Sequence, residues 1–241
     1  MNNQQKKPRR IINMLRHKIK IYGSTFSELI VKNSGNIIED WPWRRAKDPF
    51  LIMITEMLLQ RTRRSQVLRV YNKIVSAMNK HGSLCAVLEI YGKERLIKLL
   101  KSLGLMWRVI NVIKAVEFVC ERYGGRVPSD TKSLTKIPGV GQYVSRAVLC
   151  LAFGEDVAMV DTNVERIVFR FFLGCDPPKI EIRRNREFLK LIDSLIPKGN
   201  ARVFNLTLID LGSKICLPTR PNCRNCPLNL QCKYAKTENL N

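Results

Sequence analysis

The sequence predicts an all-α protein. Three observations carry that prediction. Apolar residues recur at three- and four-residue spacing in segment after segment. Signals for strands are scarce. Glycine and proline stop several of the periodic segments.

The elements follow in order. The first twenty residues hold seven Lys/Arg and no acid. They read as a basic arm over 1–20, leading into a short helix around Ile11 to Ile21. Ile52, Thr55, Leu58 and Leu59 recur at helical spacing after Asp48-Pro49-Phe50, and Val67, Val70, Tyr71, Ile74 and Val75 repeat the pattern. Leu96, Leu99, Leu100 and Leu103 form a stripe ended by Gly104. Val109 to Tyr123 is amphipathic and is stopped by Gly124-Gly125 and Pro128. A short helix to Lys136, a Pro-Gly-Val-Gly turn and a helix from Gln142 to Phe153 follow. Val164, Ile167, Val168 and Phe171 fit one helix face, as do Phe188, Leu191, Ile192 and Leu195. Phe204 to Ile215 is a last apolar helix. The total is about ten helices with short connections.

The chain has 241 residues, 45% hydrophobic and 26% charged, so it can bury a sizeable core without a disulfide framework. Its 42 Lys+Arg against 20 Asp+Glu leave a net charge of +22, which suits a polyanionic partner. No stretch is apolar for the roughly 18 residues that a membrane span needs, and no secretory signal is legible. Nucleic acid is therefore the expected partner, not a membrane.

The eight cysteines divide unevenly. Cys85, Cys120, Cys150 and Cys175 lie in apolar segments and read as small buried hydrophobes in a reducing compartment. Cys216, Cys223, Cys226 and Cys232 fall within seventeen residues as C-x6-C-x2-C-x5-C. Four thiols this close argue for metal. Zinc favours two short Cys pairs, and one such pair is present, Cys223 and Cys226. The wider, unequal outer gaps favour an iron–sulfur cluster over zinc.

Four further segments carry chemistry. Ile137-Pro138-Gly139-Val140-Gly141 joins two helices. Gly139 and Gly141 permit positive φ and close backbone approach, and the helix from Gln142 offers free N–H groups to a phosphate. An ordinary helix connection is the plain alternative. In Val160-Asp161-Thr162-Asn163, Thr162 and Glu165 read as a capping box with Asp161 just before the cap, where helix potential favours an ionised carboxylate. Helix starts commonly carry such an Asp, so a catalytic role needs its company. In Glu56-Met57-Leu58-Leu59-Gln60-Arg61-Thr62, Glu56 is buried or faces a cleft, while Gln60 and Arg61 reach toward a duplex. Gly104-Leu105-Met106-Trp107-Arg108 is a tight turn with apolar tips able to wedge between bases.

Taken jointly, these segments resemble the helix-hairpin-helix DNA glycosylases of the endonuclease III and adenine-DNA glycosylase type. The likeness runs from about Trp41 to Cys232. It is carried by Trp43-Arg44, Asp48-Pro49-Phe50, Thr55 to Thr62, Gly104-Leu105, Ile137 to Tyr143, Ala152-Phe153-Gly154, Val160 to Arg166 and the four cysteines. The resemblance implies a two-lobed all-α fold with a C-terminal iron–sulfur loop. A six-helix lobe over 45–156 would hold the hairpin, and 21–44 with 157–241 would form the cluster lobe. DNA would lie in the cleft between the lobes, with Asp161 at its base. It implies a 4Fe-4S cluster on Cys216, Cys223, Cys226 and Cys232. Asp161 would be catalytic, with Glu56 and Tyr143 beside the reaction. Gly139, Gly141, Gln60, Arg61, Leu105 and Arg108 would contact DNA.

Strand-nicking members resemble one another in a Lys at the position of Tyr143, which forms a Schiff base. Tyr143 cannot, so the chain is expected to be monofunctional. Tyr here resembles archaeal-type thymine/uracil mismatch glycosylases. The expectation is a monomeric, cytoplasmic, nucleoid-associated enzyme that removes thymine or uracil opposite guanine from double-stranded DNA. Alternatives are an adenine glycosylase without its usual C-terminal domain, for which nine residues after Cys232 leave no room, an endonuclease III-like lyase, and a non-enzymatic iron–sulfur DNA-binding module.

Overall fold

The computed structural model describes residues 3–101 and 106–238. Among the described residues there are twelve α-helices, short 3-10 turns and no strand. The chain divides into two units, Met1–Glu39 with Gly154–Asn241, and Asp40–Phe153.

The discontinuous unit contains α1 (Asn3–Lys32), α2 (Ser34–Ile37), α9 (Thr162–Leu173), α10 (Arg186–Asp193), α11 (Ala201–Lys214) and α12 (Lys233–Glu238). Helix α1 corrects the expectation of an arm and a short helix: it runs for 30 residues without a break. The reason is visible in its buried face, where Ile12, Leu15, Ile19, Phe26 and Ile30 recur every three, four or seven residues. α9 packs against α1, α11 and α12. Phe26 anchors the core, with ring centroids 4.8 Å from Phe171, 5.1 Å from Phe172 and 6.2 Å from Phe204. Truncating so buried an aromatic costs about 3–5 kcal/mol.

The continuous unit contains α3 (Pro49–Leu59), α4 (Arg64–His81), α5 (Leu84–Leu100), α6 (Met106–Tyr123), α7 (Thr131–Leu134) and α8 (Gln142–Phe153). Asp48 caps α3 by accepting from Leu51 N at 2.7 Å, with Pro49 in the first turn, where its missing N–H costs nothing. α3 is buried nearly all round because α4, α6 and α8 pack on it. α5 is kinked at Gly92, whose φ of 67° leaves the helical region. Leu103 and Gly104, read as that helix's end, lie outside the described residues.

Two cysteine expectations need correction. Cys85 at the start of α5 and Cys120 near the end of α6 are joined as a disulfide. Sequence cannot reveal this, because the pairing depends on α5 and α6 lying side by side. Cys175 is exposed, and Cys150 is buried as expected.

Candidate functional site

In the discontinuous unit the site is built around the start of α9. Asp161 is itself the N-cap of α9, and Thr162 is the first helical residue. One carboxylate oxygen accepts from Asn163 N and Val164 N, both at 2.8 Å. The other accepts from Asn163 Nδ2 at 2.9 Å. Thr162 and Glu165 do not form the expected capping box: Asp161 is the cap, Val164 stands three residues on, and Glu165 N donates to the Asp161 backbone O at 3.1 Å. Helix potential also does not win outright. Burial pushes the Asp161 carboxyl above the ordinary carboxylate range, against the pull of Val164 N–H, Asn163 and the Arg166 charge.

Asn163 passes the contact onward. Its Oδ1 accepts from Arg166 Nη2 at 2.8 Å. Arg166 also donates from Nη2 to Gly212 O at 2.7 Å and from Nε to Cys216 O at 2.8 Å. Gly212 leaves the room this needs: a Cβ there would stand 2.4 Å from Asn163 Cβ. One turn later, buried Arg170 donates to Leu217 O at 2.7 Å and Pro218 O at 3.0 Å, and pairs with Asp176 at 2.6 Å. Its guanidinium carbon lies 4.4 Å from the Tyr234 ring centroid. A hydrogen-bonded chain thus runs from the Asp161 carboxylate to the backbone of the cysteine loop.

The four loop cysteines are reduced and half-buried. Arg170 Nη1 lies 3.6 Å from Cys216 Sγ, and Cys232 Sγ lies 3.7 Å from Arg170 O. The Cys226 thiol is pushed up to about 12, first by burial and also by Cys216, Cys232 and Cys223. Among the described residues no three or more His, Cys, Asp or Glu side chains form a site for a single metal ion. Four cysteine thiols on one loop are a donor set that either a structural zinc ion or an iron–sulfur cluster accepts.

The continuous unit holds the remaining predicted residues. Gly139 has φ 77°, and a Cβ there would lie 2.8 Å from Met57 Cε and 3.1 Å from Asn111 Cβ. Gly141 differs from expectation. Its φ is not positive and a Cβ would meet nothing within 4 Å, so its backbone is open to something from outside the chain. Gly141 O accepts from Ser145 N at 2.9 Å and starts α8, with half-buried Tyr143 in the first turn. This turn can bind a phosphate through backbone N–H groups. Glu56 is buried within α3. Gln60 follows the last residue of that helix, and exposed Arg61 adopts φ 54°, a left-handed conformation that costs an L residue about 1 kcal/mol or more. Arg108, expected to contact DNA, is buried. Leu105 lies outside the described residues.

The reading of the sequence missed Asn163, Arg166 and Arg170 as supporting residues. Two arginines four apart on an otherwise apolar helix face were the available signal.

No protein-family model matches the chain. It is similar to the thymine/uracil-DNA glycosylase of Methanothermobacter thermautotrophicus, at 38% identity over 81% of this chain and 86% of the relative. It is similar to the thymine-DNA glycosylase of Aeropyrum pernix, at 32% identity over 81% of this chain and 87% of the relative. Among solved structures, a thermostable thymine-DNA glycosylase matches with a TM-score of 0.77 and 33% identity, covering 89% of this chain and 97% of that one.

Proposed function

This chain belongs to the thymine/uracil-DNA glycosylase family of helix-hairpin-helix enzymes, and from that premise we propose that it removes thymine or uracil mispaired with guanine from double-stranded DNA. Asp161 carries the reading. Its carboxylate is fixed by three hydrogen bonds, and burial makes its charge costly unless a cation offsets it. Breaking the base–sugar bond creates such a cation on the sugar. Asp161 stabilises that charge and orients the attacking water. The mispaired nucleotide first leaves the stack, at a cost that mispairing lowers. The Gly139–Gly141 turn grips a backbone phosphate. Tyr143, standing where lyases have an amine, leaves water as the nucleophile.

Cys216, Cys223, Cys226 and Cys232 would hold a 4Fe-4S cluster, which would cross-link the loop whose Cys216 carbonyl receives Arg166. Iron and sulfide content with visible absorbance tests this assignment, and colourless protein with one zinc per chain overturns it.

The function is tested with duplexes carrying one mispair each, resolved with and without hot alkali. Breaks at G·T and G·U that require alkali are expected. Breaks without alkali point to a lyase. Excision confined to adenine overturns the substrate assignment, and binding without any excision reduces the chain to a DNA-binding module.

A further inference from the structure

Glu165 is a buried carboxylate that lines a cavity and has no partner. It stands in the first turn of α9 and is 7% exposed. Among the described residues its carboxylate has no hydrogen bond and no ion pair. Burial pushes its carboxyl above the ordinary range; Arg183 pulls against that, and Asp161 and Glu181 add to it. An ionised carboxylate only accepts, and two buried oxygens without donors are costly. The arrangement points to donors supplied from outside the chain.

The cavity narrows what those donors belong to. Its volume is about 500 Å³, within the range of small-ligand sites, and it lies wholly in the discontinuous unit. Other charged side chains around it have partners. Arg166 is held by Gly212 O and Cys216 O, Asp176 pairs with Arg170, and Glu181 stands 3.6 Å from Arg183. Lys179 is exposed at the rim and has no ion pair among the described residues. Pro177, Pro178 and Ile180 add apolar walls. The fitting occupant therefore has a flat apolar body, two adjacent N–H donors and a negative group. A free guanidinium brings the donors but meets Lys179 as a like charge. A nucleotide brings all three when its base is guanine, whose N1–H and N2 amino group share one edge and suit a carboxylate's two oxygens. Adenine and cytosine set an acceptor beside the amino group. Thymine and uracil flank a single N–H with two carbonyls.

We propose that this cavity is a guanylate site, in which Glu165 accepts from guanine N1–H and N2–H and Lys179 meets the phosphate. The guanylate comes from a free nucleotide or from an unpaired stretch of a strand. Asp161 does not line the cavity, and the inference does not rest on the glycosylase reading.

The test is calorimetric titration of the whole protein with guanosine monophosphate, adenosine monophosphate and guanosine. Two thymidylate pentanucleotides, with guanine or adenine at the centre, are titrated in parallel. Guanosine monophosphate is expected to bind about tenfold or more tightly than adenosine monophosphate, the scale of one hydrogen bond to a charged group. The adenine nucleotide also measures what a chain of net charge +22 does with any phosphate. Lys179→Ala is expected to bind guanosine monophosphate no better than wild type binds guanosine. Glu165→Gln, which keeps the size and turns one acceptor into a donor, is expected to lose the guanine preference. A preference among the mononucleotides assigns the site to a free nucleotide, and one confined to the pentanucleotides assigns it to a strand. Equal affinities for guanine and adenine in both formats overturn the proposal, as does Glu165→Gln with its preference intact. If Glu165→Gln fails to fold, the wild-type comparison and Lys179→Ala decide. Mispair excision is measured separately, so failure of the glycosylase reading and failure of this one are told apart.

Discussion

Arg166 Nε donates to the carbonyl of Cys216 at 2.8 Å, while Nη2 of the same guanidinium donates to Asn163 Oδ1, also at 2.8 Å. One buried side chain thus connects the cysteine loop to the residue that positions Asp161. Replacing Arg166 with Met keeps the stem and leaves Cys216 O, Gly212 O and Asn163 Oδ1 without their charged donor. The expected loss is about 3 kcal/mol of stability, with a lower excision rate and mismatch-DNA affinity nearly unchanged. Chemical unfolding and single-turnover kinetics check this, and unaltered kinetics would show that Asp161 is held without the relay.

Asp161→Asn is expected to abolish excision while preserving binding. It also exposes a conflict between function and stability. The folded Asp161 pKa is raised above the ordinary 3.8, so the folded state binds the proton more tightly than the unfolded state. The contribution of Asp161 to stability is full below pH 3.8 and is lost as pH rises through the raised value. The Asn variant lacks that loss. Wild-type melting temperature should therefore fall relative to Asp161→Asn as pH rises through this window. On the proposed role of Asp161 as an anion facing the sugar, the wild-type excision rate is expected to fall on acidification through the same window.

The two hairpin glycines are expected to separate stability from binding. Gly139→Ala meets Met57 and Asn111 at a positive φ and should cost about 1–2 kcal/mol. Gly141→Ala has open space and should change stability by less than about 0.5 kcal/mol, yet weaken DNA binding several-fold by holding the phosphate off the backbone. Melting curves and binding isotherms on both variants decide it. A Gly141→Ala protein with unchanged affinity removes the phosphate from this turn.

On the proposed monofunctional reading, Tyr143→Lys supplies the amine that the unmodified chain lacks. Strand breaks without alkali and a borohydride-trapped protein–DNA adduct are expected. A variant that excises the base yet never traps would show that position 143 does not face the sugar.

Reducing the Cys85–Cys120 disulfide, which closes a separation of 35 residues, is expected to lower stability by up to about 4 kcal/mol. Unfolding with and without reductant measures it. Cys85→Ser with Cys120→Ser should match the reduced protein, and alkylation of both cysteines in unreduced, denatured protein would mean that the bridge does not form.

The sequence alone determined the features that depend on local order along the chain. Helix α8 was legible from Gln142 to Phe153 because glycine marks its start and apolar spacing marks its face. The cysteine spacing, the Gly139–Gly141 turn and the Asp161 segment were legible because each is a short run whose chemistry lies in adjacent residues. The tertiary structure decided what depends on distant residues meeting. The disulfide needed α5 against α6. The cap fell on Asp161 and not on Thr162 because the point at which the backbone enters the helix is settled by tertiary geometry, which spacing does not encode. Arg166 and Arg170 became structural residues because α9 packs on α11, which carries the chain directly into the cysteine loop. Arg108, expected to contact DNA, is buried and donates to Thr62, 46 residues away in the chain. Periodicity fixes which face of a helix turns inward, but which polar groups find partners there is decided by the elements packed against it.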